Sequence, residues 1–151
     1  MVGRSKKDLI PWLDRIFSKY ILDGSGKPKL KVHAFGITAI DIMKRYPWYS
    51  VDSSSWIQAA AFGGCITSKH NVVFVSTESP QRHTAGRHLT NHLPKDKTYL
   101  ENMFNKEGFS PERLSTVYES RAVYNCFSFM KISKDINAEN KPTLKAIQEL
   151  F

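Results

Sequence analysis

Apolar side chains recur along the first sixty residues at two alternating spacings. Leu9, Leu13, Ile16, Phe17, Tyr20 and Ile21 follow helical spacing and predict an amphipathic helix from Lys6 to about Ile21. Ser5 and Asp8 form a capping box ahead of it, and Pro11 lies early, where a missing N–H costs least. The polar run Asp23-Gly24-Ser25-Gly26-Lys27-Pro28 ends the helix. Leu30 to Phe35 then alternates as a strand, with Leu30, Val32 and Ala34 on one face and Lys31, His33 and Phe35 on the other. Gly36 closes it. Thr38 and Asp41 mark a second capping box and a short helix to Tyr46, which Pro47 stops. Trp48 to Asp52 reads as a short buried strand, placing Trp48, Ser50 and Asp52 on one face and Tyr49 and Val51 on the other. Ser53 to Ser55 cap a further helix, Trp56 to Phe62, which ends at Gly63-Gly64. Helix, strand, helix, strand, helix is the order of a parallel α/β architecture.

After Gly64 the pattern changes. Cys65–Thr67 and Asn71–Val75 predict a β-hairpin. Thr77 to Lys97 is polar and basic and carries Arg82, His83, Arg87, His88 and His92. A short helix spans Tyr99–Lys106 and ends at Gly108. Ser110-Pro111 opens a longer one, with Leu114, Val117, Tyr118, Val123, Tyr124, Phe127 and Met130 as its buried side. A polar linker over 134–142 and a last helix, Thr143–Phe151, complete the prediction.

Composition narrows the function classes. The 151 residues suffice for a real core, and 41 % hydrophobic content fits a water-soluble chain. No run approaches a membrane span, and no apolar stretch follows the basic start MVGRSKKDL, so a cytoplasmic protein without a signal peptide is expected. Two cysteines, Cys65 and Cys126, are too few for a disulfide framework or a zinc knuckle and read as buried fillers. Net charge is +8, from 22 basic against 14 acidic residues spread along the chain. That balance favours a polyanion, nucleic acid first. His83, His88 and His92 lack the spacing and the carboxylate of a metal motif, so no metal or cofactor is expected. They read with Arg82, Arg87 and Lys69 as a solvated or phosphate-contacting surface.

The candidate chemistry centres on Asp52. It ends one predicted strand; His33 and Gly36 end its predicted neighbour, and Ser50 lies below it. A carboxylate on such a rim can attack an anomeric carbon and form a glycosyl ester. It can equally start a turn and cap the helix that follows.

At these residues the chain resembles the tRNA-guanine transglycosylase superfamily, most closely its DNA-directed, DpdA-like branch of phages and bacteria, which inserts 7-deazaguanines. Met1-Val2-Gly3 resembles the end of that family's loop after the sixth barrel strand. Residues 5–21 would be the sixth helix, KLKVHAFG (Lys29–Gly36) the seventh strand, and SVDSSSW (Ser50–Trp56) the end of the eighth. VSTESP (Val75–Pro80) and the helices beyond resemble the tail of the DNA-directed branch.

The resemblance spans residues 1 to about 131 and implies the C-terminal portion of a TIM (β/α)8 barrel over 1–64, followed over 65–151 by a hairpin, a basic loop and helices. It makes Asp52 the nucleophile and places Val2 and Gly3 near the purine pocket; Gly36 and His33 are read as further pocket residues beside Asp52, His33 as a polar wall of the pocket or equally as a satisfied barrel histidine. It implies DNA (or tRNA) and a 7-deazaguanine base as partners. Six βα units, a second catalytic aspartate, a Gly-Gly pair and the family's zinc site have no counterpart in the chain. The expectation is therefore the C-terminal piece of such an enzyme, marginal in stability, completed by an N-terminal partner piece, or packing its hairpin and tail over the gap. A basic, non-catalytic nucleic-acid-binding module and an inert gene remnant are the alternatives.

Overall fold

A computed structural model describes residues 6–37, 39–67, 72–83 and 86–139. The chain is mixed α/β and forms two compact units. One holds the described residues up to Ser53 together with those from Lys134 onward; the other is Ser54–Ser133.

The first unit opens with helix α1, Lys6–Ile16, which continues as a π-helical turn over Phe17–Ile21. The predicted extent holds, but the last five residues are wound more widely. The Leu22 amide donates to the Phe17 carbonyl at 2.8 Å, five residues back. Asp23 then organises the polar loop: its carboxylate accepts from the amides of Ser25 and Lys27, both at 2.9 Å. The Lys27 amide is the main cause that holds this carboxyl below its ordinary range.

Strand β1 is His33–Ala34 and strand β2 is Ser50–Val51, with helix α2, Ile40–Arg45, between them. Thr38, the expected cap, lies outside the described residues. The strands pair in parallel, His33 against Ser50 and Ala34 against Val51. Flanking bonds extend the ladder, Tyr49 N to Val32 O at 3.0 Å and Asp52 N to Ala34 O at 3.1 Å.

Both strands are shorter than predicted. At the start of the predicted β1 stretch, Lys29 donates its amide to Ile21 and Pro28 bridges Leu22, which draws the chain towards the π turn. β2 is not buried as expected: Ser50 is exposed and Val51 only half-buried. The packed layer lies on one side, where Leu13, Phe17, Ile21, Ala34, Ile37, Ile42, Met43 and Tyr46 are buried. Trp48 does not share a face with Asp52. It meets Phe17 edge-on at 4.8 Å and Tyr46 at 5.7 Å, and its indole donates to the Ile42 carbonyl at 3.1 Å. Strand alternation begins only at Ser50, where β2 starts.

The second unit starts with helix α3, Ser55–Ala61, with Ser54 at its N-cap position but no side-chain capping bond, and it stops at Gly63. Gly63 adopts φ +83°, and a Cβ there would stand 2.6 Å from the Ser76 Cβ, so both conformation and space require glycine. Strands β3, Gly64–Ile66, and β4, Val72–Phe74, form the predicted antiparallel hairpin. Helix α4, Pro94–Lys106, begins five residues before the predicted start because Pro94 occupies its first turn, where proline is tolerated. Helix α5 is Pro111–Thr116, with the Ser110 hydroxyl accepting from the Arg113 amide. Helix α6 is Tyr118–Glu139.

The long helix expected after Ser110 is thus broken. Val117 is extended, at φ −108° and ψ 118°, and the break resets the helical phase. Val123 and Met130, expected inside, are 60 % and 57 % exposed, and Tyr118 is exposed too. The buried stripe of α6 is instead Arg121, Tyr124, Asn125, Ser128 and Ile132. Residues 134–139 continue α6 where a linker was expected; Thr143–Phe151 lie outside the described residues.

The core of this unit joins Cys65, Val73, Val75, Leu89, Phe104, Leu114 and Tyr124. Burial pushes the Cys65 thiol up to about 12, in keeping with an inert filler. Cys126, expected to be another, is exposed. No helix among the described residues is long and apolar enough to cross a membrane.

Candidate active site

Parallel pairing is what brings the candidate residues together. It sets the carboxyl ends of β1 and β2 side by side, so Gly36 and Asp52 stand on one rim. The Gly36 amide donates to Asp52 Oδ1 at 3.0 Å. Gly36 has φ +69°, a left-handed conformation that turns the chain as β1 ends. The second carboxylate oxygen, Oδ2, lies 3.6 Å from His33 Nε2. On its other side His33 Nδ1 is 2.8 Å from Ser50 Oγ.

His33 thus turns one ring nitrogen to the Ser50 hydroxyl, which can donate or accept, and the other towards the Asp52 carboxylate. The register that pairs His33 with Ser50 places the hydroxyl there. Asp52 is held through Oδ1 by the Gly36 amide, and Oδ2 faces His33. Its side chain stays 55 % exposed, which leaves lone pairs open to an incoming electrophile. Ser54 occupies the cap position of α3 without a side-chain bond to the helix amides; its hydroxyl accepts from Gln58 Nε2 at 3.0 Å, and Asp52 accepts from Gly36.

Val2, Gly3 and Lys69 lie outside the described residues. Arg82 and Arg87 are exposed in the second unit. The Arg82 guanidinium donates to the Thr77 carbonyl at 3.2 Å, and the Arg87 carbonyl accepts from Phe74 at 3.0 Å.

His88 corrects the expectation of a basic histidine surface. It is buried, with Nδ1 2.8 Å from Thr90 Oγ1 and Nε2 3.0 Å from the Ser76 carbonyl, and it pairs with Phe74 in a parallel bridge. It ties a loop to the hairpin. Among the described residues no group of three or more His, Cys, Asp or Glu side chains could hold a metal ion.

Sequence reasoning missed the polar stripe of α6. Arg121 donates from Nε to the Ala60 carbonyl and from Nη1 to the Leu114 carbonyl, each at 3.0 Å, closing the ends of α3 and α5. Asn125 accepts from the Ile66 amide at 2.7 Å and donates to the carbonyls of Trp56 and Gly64 at 2.9 and 3.0 Å. Helical spacing from Tyr124, with the break at Val117 allowed for, would have put both on the inner face.

Comparison of the chain with protein-family models, with curated proteins and with solved structures found no match.

Proposed function

We propose that this chain carries the nucleophile-bearing part of a guanine transglycosylase, the last two βα units of a TIM barrel with a hairpin and helices after them, acting in the cytoplasm on DNA (or tRNA). One observation carries the reading. Asp52 and Gly36 end two parallel-paired strands on a shared rim, and the Gly36 amide holds one carboxylate oxygen while the other faces His33. Asp52 attacks C1′ of the nucleotide, forming a C–O bond as the C1′–N9 bond breaks. The bonding pair leaves on guanine, which takes up a proton. A 7-deazaguanine, deprotonated at N9, then attacks C1′ and returns the Asp52 carboxylate. Two displacements retain configuration at the sugar.

The test is exchange of labelled guanine by this chain joined with an N-terminal piece that completes the barrel. Asp52→Asn abolishes exchange and the covalent adduct seen on a denaturing gel, while nucleic-acid affinity is unchanged. Retained exchange removes Asp52 from the nucleophile role. A non-catalytic nucleic-acid-binding α/β module is the second reading, favoured by the open surroundings of Asp52. It gains if binding persists and no assembled form exchanges guanine.

A further inference from the structure

The displacement chemistry leaves several side chains around the strand pair without a role. Phe35 is 79 % exposed and Tyr49 65 % exposed. Burial alternates along the first strand: Lys31, His33 and Phe35 are exposed, Val32 is half-buried and Ala34 is buried. The first three therefore share one side. Phe35 meets the His33 ring at 4.4 Å in an edge contact, and the Lys31 ammonium stands 4.7 Å from the centre of the Tyr49 ring. Lys31, His33 and Phe35 thus form a stripe, which Tyr49, in the bend ahead of β2, joins through its contact with Lys31. It runs from the amino end of the strand pair, where Tyr49 lies, to the carboxyl end with Gly36 and Asp52. Tyr49 and Phe35 are about 10 Å apart along it, three residues of strand. Lys29 is exposed just before it.

Chemistry selects the occupant. An apolar protein surface would bury the Lys31 charge, and charged groups are depleted from such interface centres. A nucleic-acid strand accepts it, because phosphates neutralise lysines and base faces stack on aromatic rings. A duplex keeps its base faces inside, so an unpaired strand fits. Charge also sets the direction. The Asp52 carboxylate repels phosphate, so a base belongs beside Phe35 and the phosphates belong near Lys29 and Lys31.

We infer that this stripe binds single-stranded nucleic acid, Phe35 stacking a base next to Asp52 and the free face of Tyr49 stacking a second. The inference deepens the transglycosylase reading by naming the form of the substrate, an unstacked base in a single strand. Its support is independent of exchange.

The test is fluorescence anisotropy of the full chain with labelled oligothymidylate and oligouridylate. The chain binds one or both, and which one binds tells DNA from RNA. Phe35→Ala and Tyr49→Ala each weaken binding about tenfold, while Phe35→Trp preserves it. Lys31→Gln lowers the salt slope by about one. Tyr20→Ala, which removes another exposed ring under a lysine, Lys19, leaves binding unchanged. Equal affinity for a duplex, parental affinity in both Phe35→Ala and Tyr49→Ala, or no binding at all overturns the inference. Self-association of the chain that Phe35→Ala abolishes, with no oligonucleotide bound, overturns it in favour of a protein contact. Asp52→Asn is read for exchange alone, so loss of exchange with binding intact separates the two proposals.

Discussion

Replacing Asn125 by alanine strikes the polar centre of the second unit. The side chain is fully buried and satisfies three backbone groups: the Ile66 amide and the carbonyls of Gly64 and Trp56. The bonds to Ile66 and Gly64 are buried, and the one to Trp56 is partly so. Each group left unsatisfied costs ~1–3 kcal/mol, so the two together cost about 2–6 kcal/mol. That is a large share of the ~5–15 kcal/mol that stabilises a typical domain. Asn125→Asp keeps the acceptor for Ile66 but turns a carboxylate towards two carbonyls, and should lose at least as much. Val123→Ala, two residues away at a position the sequence pattern marks as core, should stay within ~0.5 kcal/mol because the side chain is exposed. Urea unfolding followed by far-ultraviolet circular dichroism gives the free energies, and hydrogen exchange at the Ile66 amide gives the local effect. An Asn125→Ala protein within ~1 kcal/mol of the parent, with Ile66 still protected, would refute the reasoning.

Two further outcomes follow from the titrating groups. Burial works to raise the Asp14 carboxyl, but hydrogen bonds from Arg45 at 2.9 and 3.0 Å and from Tyr46 at 2.7 Å outweigh it and hold it below its ordinary value of 3.8. A depressed carboxyl contributes stability above its unfolded value and loses it as pH falls through the folded one. Stability should therefore drop below pH about 4, and Asp14→Asn should flatten that limb except for the share from Asp23; an unchanged slope in urea midpoints would count against the Asp14 contribution. Iodoacetamide should label exposed Cys126 in the native chain and reach buried Cys65 only after unfolding. Peptide mass spectrometry shows the order, and native labelling of Cys65 would contradict its burial.

The sequence was most legible where one local signal sufficed. Helical spacing from Leu9 to Ile21 reported α1 and its continuation, although not the π turn, which local spacing does not encode. Turn residues and alternation reported the β3–β4 hairpin, and the order of elements placed Asp52 beside Gly36. Legibility failed where a distant partner decided the outcome. Trp48 left the strand pattern because Phe17 and Tyr46 offered it an aromatic cluster. His88 looked like a surface histidine because its acceptor, the Ser76 carbonyl, is twelve residues away. The inner face of α6 was misread because polar residues occupy it, paired to backbone groups that no spacing rule reveals.

The two polar anchors of α6 carry a consequence for how the chain is made. Arg121 and Asn125 complete backbone groups at Trp56, Ala60, Gly64, Ile66 and Leu114, all of which leave the ribosome first. Until α6 has emerged, the Ile66 amide and the Gly64 carbonyl lack the Asn125 side chain that satisfies them and stay hydrated. The second unit therefore closes late in synthesis, in one step, when its last helix arrives.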